Sequence, residues 1–121
     1  MIRALLIAAS LLALPLPAAA QSGSGYPAEP LAGLLGEMHA LNYHCRTARQ
    51  QYWRSRVQEM IDLEAPQPGA YRERLIASFN RGFQYYSPRR VRCGAEAEQE
   101  LQALAARARP LAEQMRQTYI Q

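Results

Sequence analysis

The apolar positions of this chain fall into four stripes of helical period. Leu31, Leu34, Leu35, Met38, Leu41 and Cys45 recur at spacings of three and four, which predicts a first helix starting near Pro30 with Cys45 on its buried face. After the polar stretch RTARQQ (46–51), read as a turn, Trp53, Val57, Met60 and Ile61 predict a second helix. That helix must end near Ala65, because Pro66 and Pro68 follow. Pro68 suits the first turn of a third helix, where its missing N–H costs nothing. Tyr71, Leu75, Phe79, Phe83 and Tyr86 then recur at about every fourth position, with Gly82 small enough for a close helix crossing, before Ser87-Pro88 ends the run. A fourth stripe opens at about Gly94 and carries Ala97, Leu101, Leu104, Ala108, Leu111, Met115 and Tyr119. Glu96, Glu98 and Glu100 lie early in it and Arg107, Arg109 and Arg116 late, as the helix macrodipole favours. Pro110 is expected to kink or split this helix, since its ring excludes the bond back to residue 106. No strand-like alternation persists, so the pattern predicts an all-α bundle of about four helices.

Ahead of these stripes, Arg3 leads into the apolar run ALLIAASLLALPLP, which closes on Ala18-Ala19-Ala20. That is the pattern of a secretory signal peptide over residues 1–20. The run falls short of the ~20 apolar residues a spanning helix needs, and no later run supplies a transmembrane segment. Residues 21–30, QSGSGYPAEP, read as a flexible leader, and 31–121 as one helical domain. No cysteine follows the apolar run for lipid attachment, so an untethered periplasmic protein is expected. The chain carries 14 basic and 10 acidic residues, a net charge of +4 that is too mild for a nucleic-acid footprint. Every basic residue is arginine, but this bias covers the whole chain rather than one face, so it marks no anion site by itself.

The two cysteines raise the sharpest chemical question, because Cys45 directly follows His44 in NYHCR. Two cysteines in an exported chain most simply form one disulfide, Cys45–Cys93, stapling the first helix to the start of the last. Closing a span of this length contributes about 4 kcal/mol by chain-entropy reasoning. A nucleophilic Cys45 would need a base in reach, yet neighbouring helical residues point about 100° apart, so His44 serves it poorly. A metal centre needs three or four ligands, and His39 lies on a different helix face from His44. No Cys-x-x-Cys motif is present. The residues therefore call for no metal and no cofactor.

Among surface candidates, Arg89, Arg90 and Arg92 beside Tyr85 and Tyr86 form an arginine/aromatic cluster. Guanidinium forks next to aromatic rings suit lipid phosphates, acidic glycans or an acidic patch on an envelope protein. A solvated loop is the plainer reading. Asn80 and Arg81 stand between Phe79 and Phe83, where they would either line a small site between the third and fourth helices or hydrogen-bond locally. Glu59, Asp62 and Glu64 lie close in sequence, and a solvated helix face explains them better than a pair of catalytic carboxyls.

Laid out this way, the chain resembles a family of short exported proteins, mostly from alphaproteobacteria, whose function is uncharacterised. The resemblance rests on LNYHCR, on a tryptophan followed by MIDLEAP, on LIASFNRGF, and on a cysteine before a terminal Ala/Leu/Glu-rich helix, across residues 31–119. Pro110 and the RTARQQ segment depart from the family's pattern. The resemblance implies a bacterial periplasmic location and no particular activity. The leading expectation is a non-enzymatic periplasmic protein that binds an envelope protein, glycan or anionic lipid through Arg81, Tyr85, Tyr86, Arg89, Arg90 and Arg92. The alternatives are a cell-wall glycan hydrolase or its regulator using Glu59, Glu64 and Arg81, and a redox or metal protein using Cys45.

Overall fold

The computed structural model describes residues 26–86 and 90–120. The expected signal peptide lies outside them, as do residues 21–25 of the leader and Arg89 of the basic cluster. Four helices follow one another: α1 (Ala28–His44), α2 (Tyr52–Glu64), α3 (Ala70–Tyr85) and α4 (Ala95–Tyr119), and no strand occurs among the described residues. The all-α expectation holds, and α1 starts two residues ahead of Pro30.

α1 is the axis of the bundle. It packs against all three other helices, whereas α4 touches neither α2 nor α3 at the level of the backbone among the described residues. This centrality follows from its composition. Ala32, Gly36 and Ala40 are as buried as Leu31, Leu35 and Met38, and even His39 and Asn42 are inside, so α1 is enclosed on nearly every side rather than along one stripe. α2 buries only Val57 and Ile61 completely, and α3 only Leu75, Ser78 and Gly82. The arginine- and glutamate-rich outer faces of α2, α3 and α4 surround that single apolar rod.

The α1–α3 crossing is the tightest in the molecule. A Cβ on Gly82 would stand 2.0 Å from the Gly33 carbonyl oxygen, and one on Gly36 would stand 2.0 Å from the Phe79 carbonyl oxygen. Both lie inside any contact distance, so only glycine lets the two backbones meet. Beside them the Ser78 hydroxyl donates to the Glu29 carbonyl at 2.7 Å. The close crossing expected of Gly82 is present, and Gly36 is its counterpart on α1.

Two details depart from the sequence expectations, while the turn expected at RTARQQ is present. α3 begins at Ala70 with Gly69 as N-cap, so Pro68 precedes the helix instead of lying in its first turn. α4 runs unbroken through Pro110. The bond lost there leaves the carbonyl of Ala106 on an exposed face, where water can take it up, while Ala108 and Leu111 keep the helix on the bundle. RTARQQ begins with a helix stop: the Thr47 N–H donates to the Asn42 carbonyl at 3.1 Å and the Arg46 N–H to the Tyr43 carbonyl at 3.2 Å. This Schellman pair places Arg46 in the left-handed region at φ +50°. The stop leaves Cys45 half-buried as the C-cap of α1, where it is bonded to Cys93 with Cα atoms 5.5 Å apart. Gly94, at φ +101°, then turns the chain into α4 directly after the bridge.

Candidate functional site

Because α2 and α4 flank α1 without backbone contact, a groove of about 520 Å³ opens between them. Its floor is Leu31, Leu35 and Met38 of α1. Trp53, Met60 and Leu63 form the α2 wall, and the α4 wall is Met115 together with Ala105, Ala108 and Ala112. Those alanines are what hold the groove open, since larger residues at the same positions would fill it. Three methionines give the lining an unbranched, adaptable character. The polar lining is Arg56, Arg109, Glu59 and Tyr52. Arg56 is 2.9 Å from Glu59 and lies 5.2 Å over the Tyr52 ring, while Arg109 has no ion-pair partner among the described residues. Leu63, at 69% exposure, continues the apolar lining out to the surface.

Tyr119 forms one end of this groove and turns its hydroxyl onto Glu64, the last residue of α2. The same carboxylate accepts from Tyr26, which precedes α1, at 2.7 Å and from Tyr71 of α3 at 2.9 Å. One half-buried glutamate thus holds phenols from three separate parts of the chain. Withdrawal of the hydroxyls from water, followed by their bonds to Glu64, raises all three phenol pKa values, that of Tyr119 to about 12. Sequence reasoning missed this cluster. The available signal was seven tyrosines against two phenylalanines, an excess of hydroxyls that each need a partner when buried.

The anticipated arginine/aromatic surface is only partly assembled. Arg81 and Tyr85 share a cleft of about 600 Å³ over α1 with Glu37 and Arg107, two residues the sequence reading did not select. Burial raises the Glu37 pKa, with Arg107 pulling it down and Glu100 adding to the rise. Arg81 itself lies 4.0 Å from Glu29. Arg90 stacks over the Tyr85 ring at 4.7 Å. Tyr86 does not belong to this surface: it is 8% exposed, and its hydroxyl donates to Glu100 at 2.6 Å. Its place in the i, i+4 stripe carries it inward, and Glu100 satisfies the buried hydroxyl. Arg92 is exposed, and its carbonyl accepts the Ala97 N–H at 3.1 Å near the start of α4.

The remaining candidates separate. Of the pair expected between α3 and α4, Arg81 does line the cleft that those helices form over α1, but Asn80 does not. Asn80 lies instead on the rim of a hollow of about 280 Å³ with His39, Arg54, Phe79 and Phe83. There the third-helix phenylalanines are half-buried, stacking 5.6 and 5.2 Å from the His39 ring. The Nδ1 of His39 is buried without a hydrogen-bond partner, and burial lowers the ring's pKa, with Arg54 and His44 adding to it against the Gln50 carbonyl. Glu59 and Glu64 share α2, yet Glu59 pairs with Arg56, Glu64 with three phenols, and Arg81 faces a different cleft. Cys45, spent in the bridge, offers neither a thiol nor a thiolate ligand. Among the described residues no three His, Cys, Asp or Glu side chains gather as metal ligands, and no helix is long and apolar enough to cross a membrane.

No curated protein and no solved structure matches this chain. A family model described as "Protein of unknown function (DUF2385)" matches residues 28–119. That span takes in all four helices and both bridged cysteines, and the chain belongs to the DUF2385 family.

Proposed function

We propose that the protein is a non-enzymatic periplasmic carrier that holds a single fatty-acyl chain with its carboxylate against the arginines of the α2–α4 groove. The observation that carries this reading is the pairing of an apolar, methionine-lined groove with Arg56 and Arg109 in its lining. Its volume of about 520 Å³ falls in the range of about 300–1,000 Å³ usual for small-molecule sites. The apolar walls would take the chain and the guanidinium groups its anionic end. The periplasmic part of the proposal is supported by the signal-like N-terminus and by the Cys45–Cys93 bridge, a bond that persists in oxidising compartments.

The test is displacement of a fluorescent fatty acid from purified protein. Ala112→Trp, which fills the groove from its α4 wall, is expected to abolish binding with the fold intact, and Arg109→Glu to weaken it at least tenfold. Equal binding by wild type and Ala112→Trp would sink the proposal. Cell fractionation with thiols trapped by alkylation tests the location: the expected result is periplasmic protein that reacts only after reduction. A second reading, contact with an acidic glycan or envelope protein through Arg81, Tyr85, Arg90, Arg92 and the adjoining Arg89, is favoured by the joining of Arg81, Tyr85 and Arg107 around one cleft. Loss of an envelope cross-link in Arg81→Glu/Arg107→Glu, with fatty-acid binding unchanged, would favour it over the groove.

A further inference from the structure

The glutamate and three phenols at the end of the groove have a second chemical capacity, independent of what the groove holds. We infer that Glu64, Tyr26, Tyr71 and Tyr119 form an oxygen-only cation site suited to ferric iron. The spacing is the first argument. Tyr26 stands 2.7 Å from one carboxylate oxygen and Tyr71 2.9 Å from the other, with Tyr119 on the same oxygen as Tyr26. In an octahedral complex with metal–oxygen bonds of about 2.0–2.1 Å, neighbouring ligand oxygens lie about 2.9 Å apart. Each phenol thus stands near ligand-edge spacing from the carboxylate, so an ion replacing a phenolic proton meets phenol and carboxylate oxygens together.

The donor chemistry selects the ion. No sulfur or imidazole belongs to the cluster, so softer metals gain nothing there. Calcium and magnesium are served by carboxylates, carbonyls and water, and a neutral phenol is a poor substitute for any of these. A trivalent ion can displace the phenolic protons and take phenolate ligands, and tyrosinate is an established ligand of iron. Each phenol that ligates passes one proton to water. No redox step is involved, and water completes the coordination shell.

The surroundings permit this. Arg72, the nearest cation in sequence, is committed to Asp62 and to the Ala65 carbonyl, each at 2.9 Å. Arg74 lies over the face of the Tyr71 ring, 5.6 Å from its centre, rather than at its hydroxyl, and is also 3.9 Å from Glu29. Tyr119 is 53% exposed, which leaves the cluster an approach from solvent.

Titration of the full chain with ferric citrate tests the site. The expected result is one iron per chain, a visible phenolate-to-iron absorption band and the matching phenolate modes in resonance Raman spectra, with calcium and zinc producing no change. Tyr71→Phe/Tyr119→Phe should lose the band, and Tyr43→Phe, outside the cluster, should keep it. If the double variant does not fold, Tyr119→Phe alone, in the exposed last turn of α4, should lower the iron affinity at least tenfold. Absence of the band in wild type, a band unchanged in Tyr71→Phe/Tyr119→Phe, or an unchanged iron affinity in Tyr119→Phe overturns the inference and leaves the cluster as a hydrogen-bonded clasp.

Discussion

The two sides of α1 are built on opposite rules. Towards α3 the helix presents Gly33 and Gly36, and the backbones close until carbonyl oxygens occupy the space where side chains would begin. Towards α2 and α4 it presents Leu31, Leu35 and Met38, whose length keeps the neighbours apart and leaves a groove between them. Small residues on the axis give a rigid seam, whereas large residues on the axis with small ones opposite give a recess. The chain places its closest backbone packing on the first side and its open volume on the second. Substitutions of similar size should therefore have opposite consequences on the two sides.

The sharpest way to break this contrast is to add side chains to the seam. Gly82→Val or Gly36→Val has no room to relax, because the obstacle is backbone, and a cost of about 4–5 kcal/mol is expected in urea denaturation. Ala112→Trp on the groove wall should change stability by no more than about 1 kcal/mol, because its added volume enters space that is already empty. A seam variant that unfolds no earlier than the groove variant would refute the two-sided account. Next in size is the bridge. It closes a separation of 48 residues, and Cys45→Ala/Cys93→Ala should lose about 4 kcal/mol. That loss should spare the seam, which lies towards the other end of α1 from Cys45.

The contrast also explains what the sequence made legible. Four helices and the bridge were readable because each stripe repeats at spacings of three and four, and because two cysteines have one pairing. The seam was half readable: Gly82 stood out among aromatics, while Gly36 was hidden in a run of leucines and alanines that all looked like core. The groove was not readable, since Met38, Trp53, Met60 and Met115 satisfy a core pattern whether or not their far sides meet anything. Tyr86 was misassigned to the surface because adjacency to arginines in sequence outweighed its place in the stripe. The Glu64 cluster joins positions 26, 64, 71 and 119, a juxtaposition that local periodicity does not encode.

Smaller effects come from groups whose protons belong to one side or the other. His39 packs against the third-helix phenylalanines, and burial lowers its pKa from 6.5, so the unfolded chain binds the proton better. Its contribution to stability is complete above pH 6.5 and is lost as the pH falls through the lowered native value. His39→Phe should stack in the same place, remove the unpaired Nδ1 and flatten that acid limb, raising stability by about 1 kcal/mol in denaturant titrations. The phenols on Glu64 carry the opposite sign. Tyr119 is raised from 10.0 to about 12, so this clasp is intact below pH 10 and weakens as the pH rises towards 12. Thermal melts of wild type and Tyr119→Phe across that interval should converge as the alkaline limb falls. Parallel curves would mean that the hydroxyl contributes nothing.

The smallest expected effect lies where the two sides meet, at the end of α1. Arg46 occupies the left-handed position of the Schellman stop at φ +50°, a conformation that costs an L-residue with a side chain about 1 kcal/mol. The stop is still required, because it ends α1 at the residue before the bridged cysteine and turns the chain towards α2 and the groove wall. Arg46→Gly removes the strain and keeps both closing hydrogen bonds, so stability should rise by up to about 1 kcal/mol, less the entropy glycine adds to the unfolded chain. The gain should persist in the Cys45→Ala/Cys93→Ala background, since the backbone bonds to Asn42 and Tyr43 do not depend on the bridge. If the gain appears only with the bridge intact, the disulfide, and not the Schellman pair, holds Arg46 in its strained conformation. The turn into α2 would then be set by the staple rather than by the sequence that precedes it.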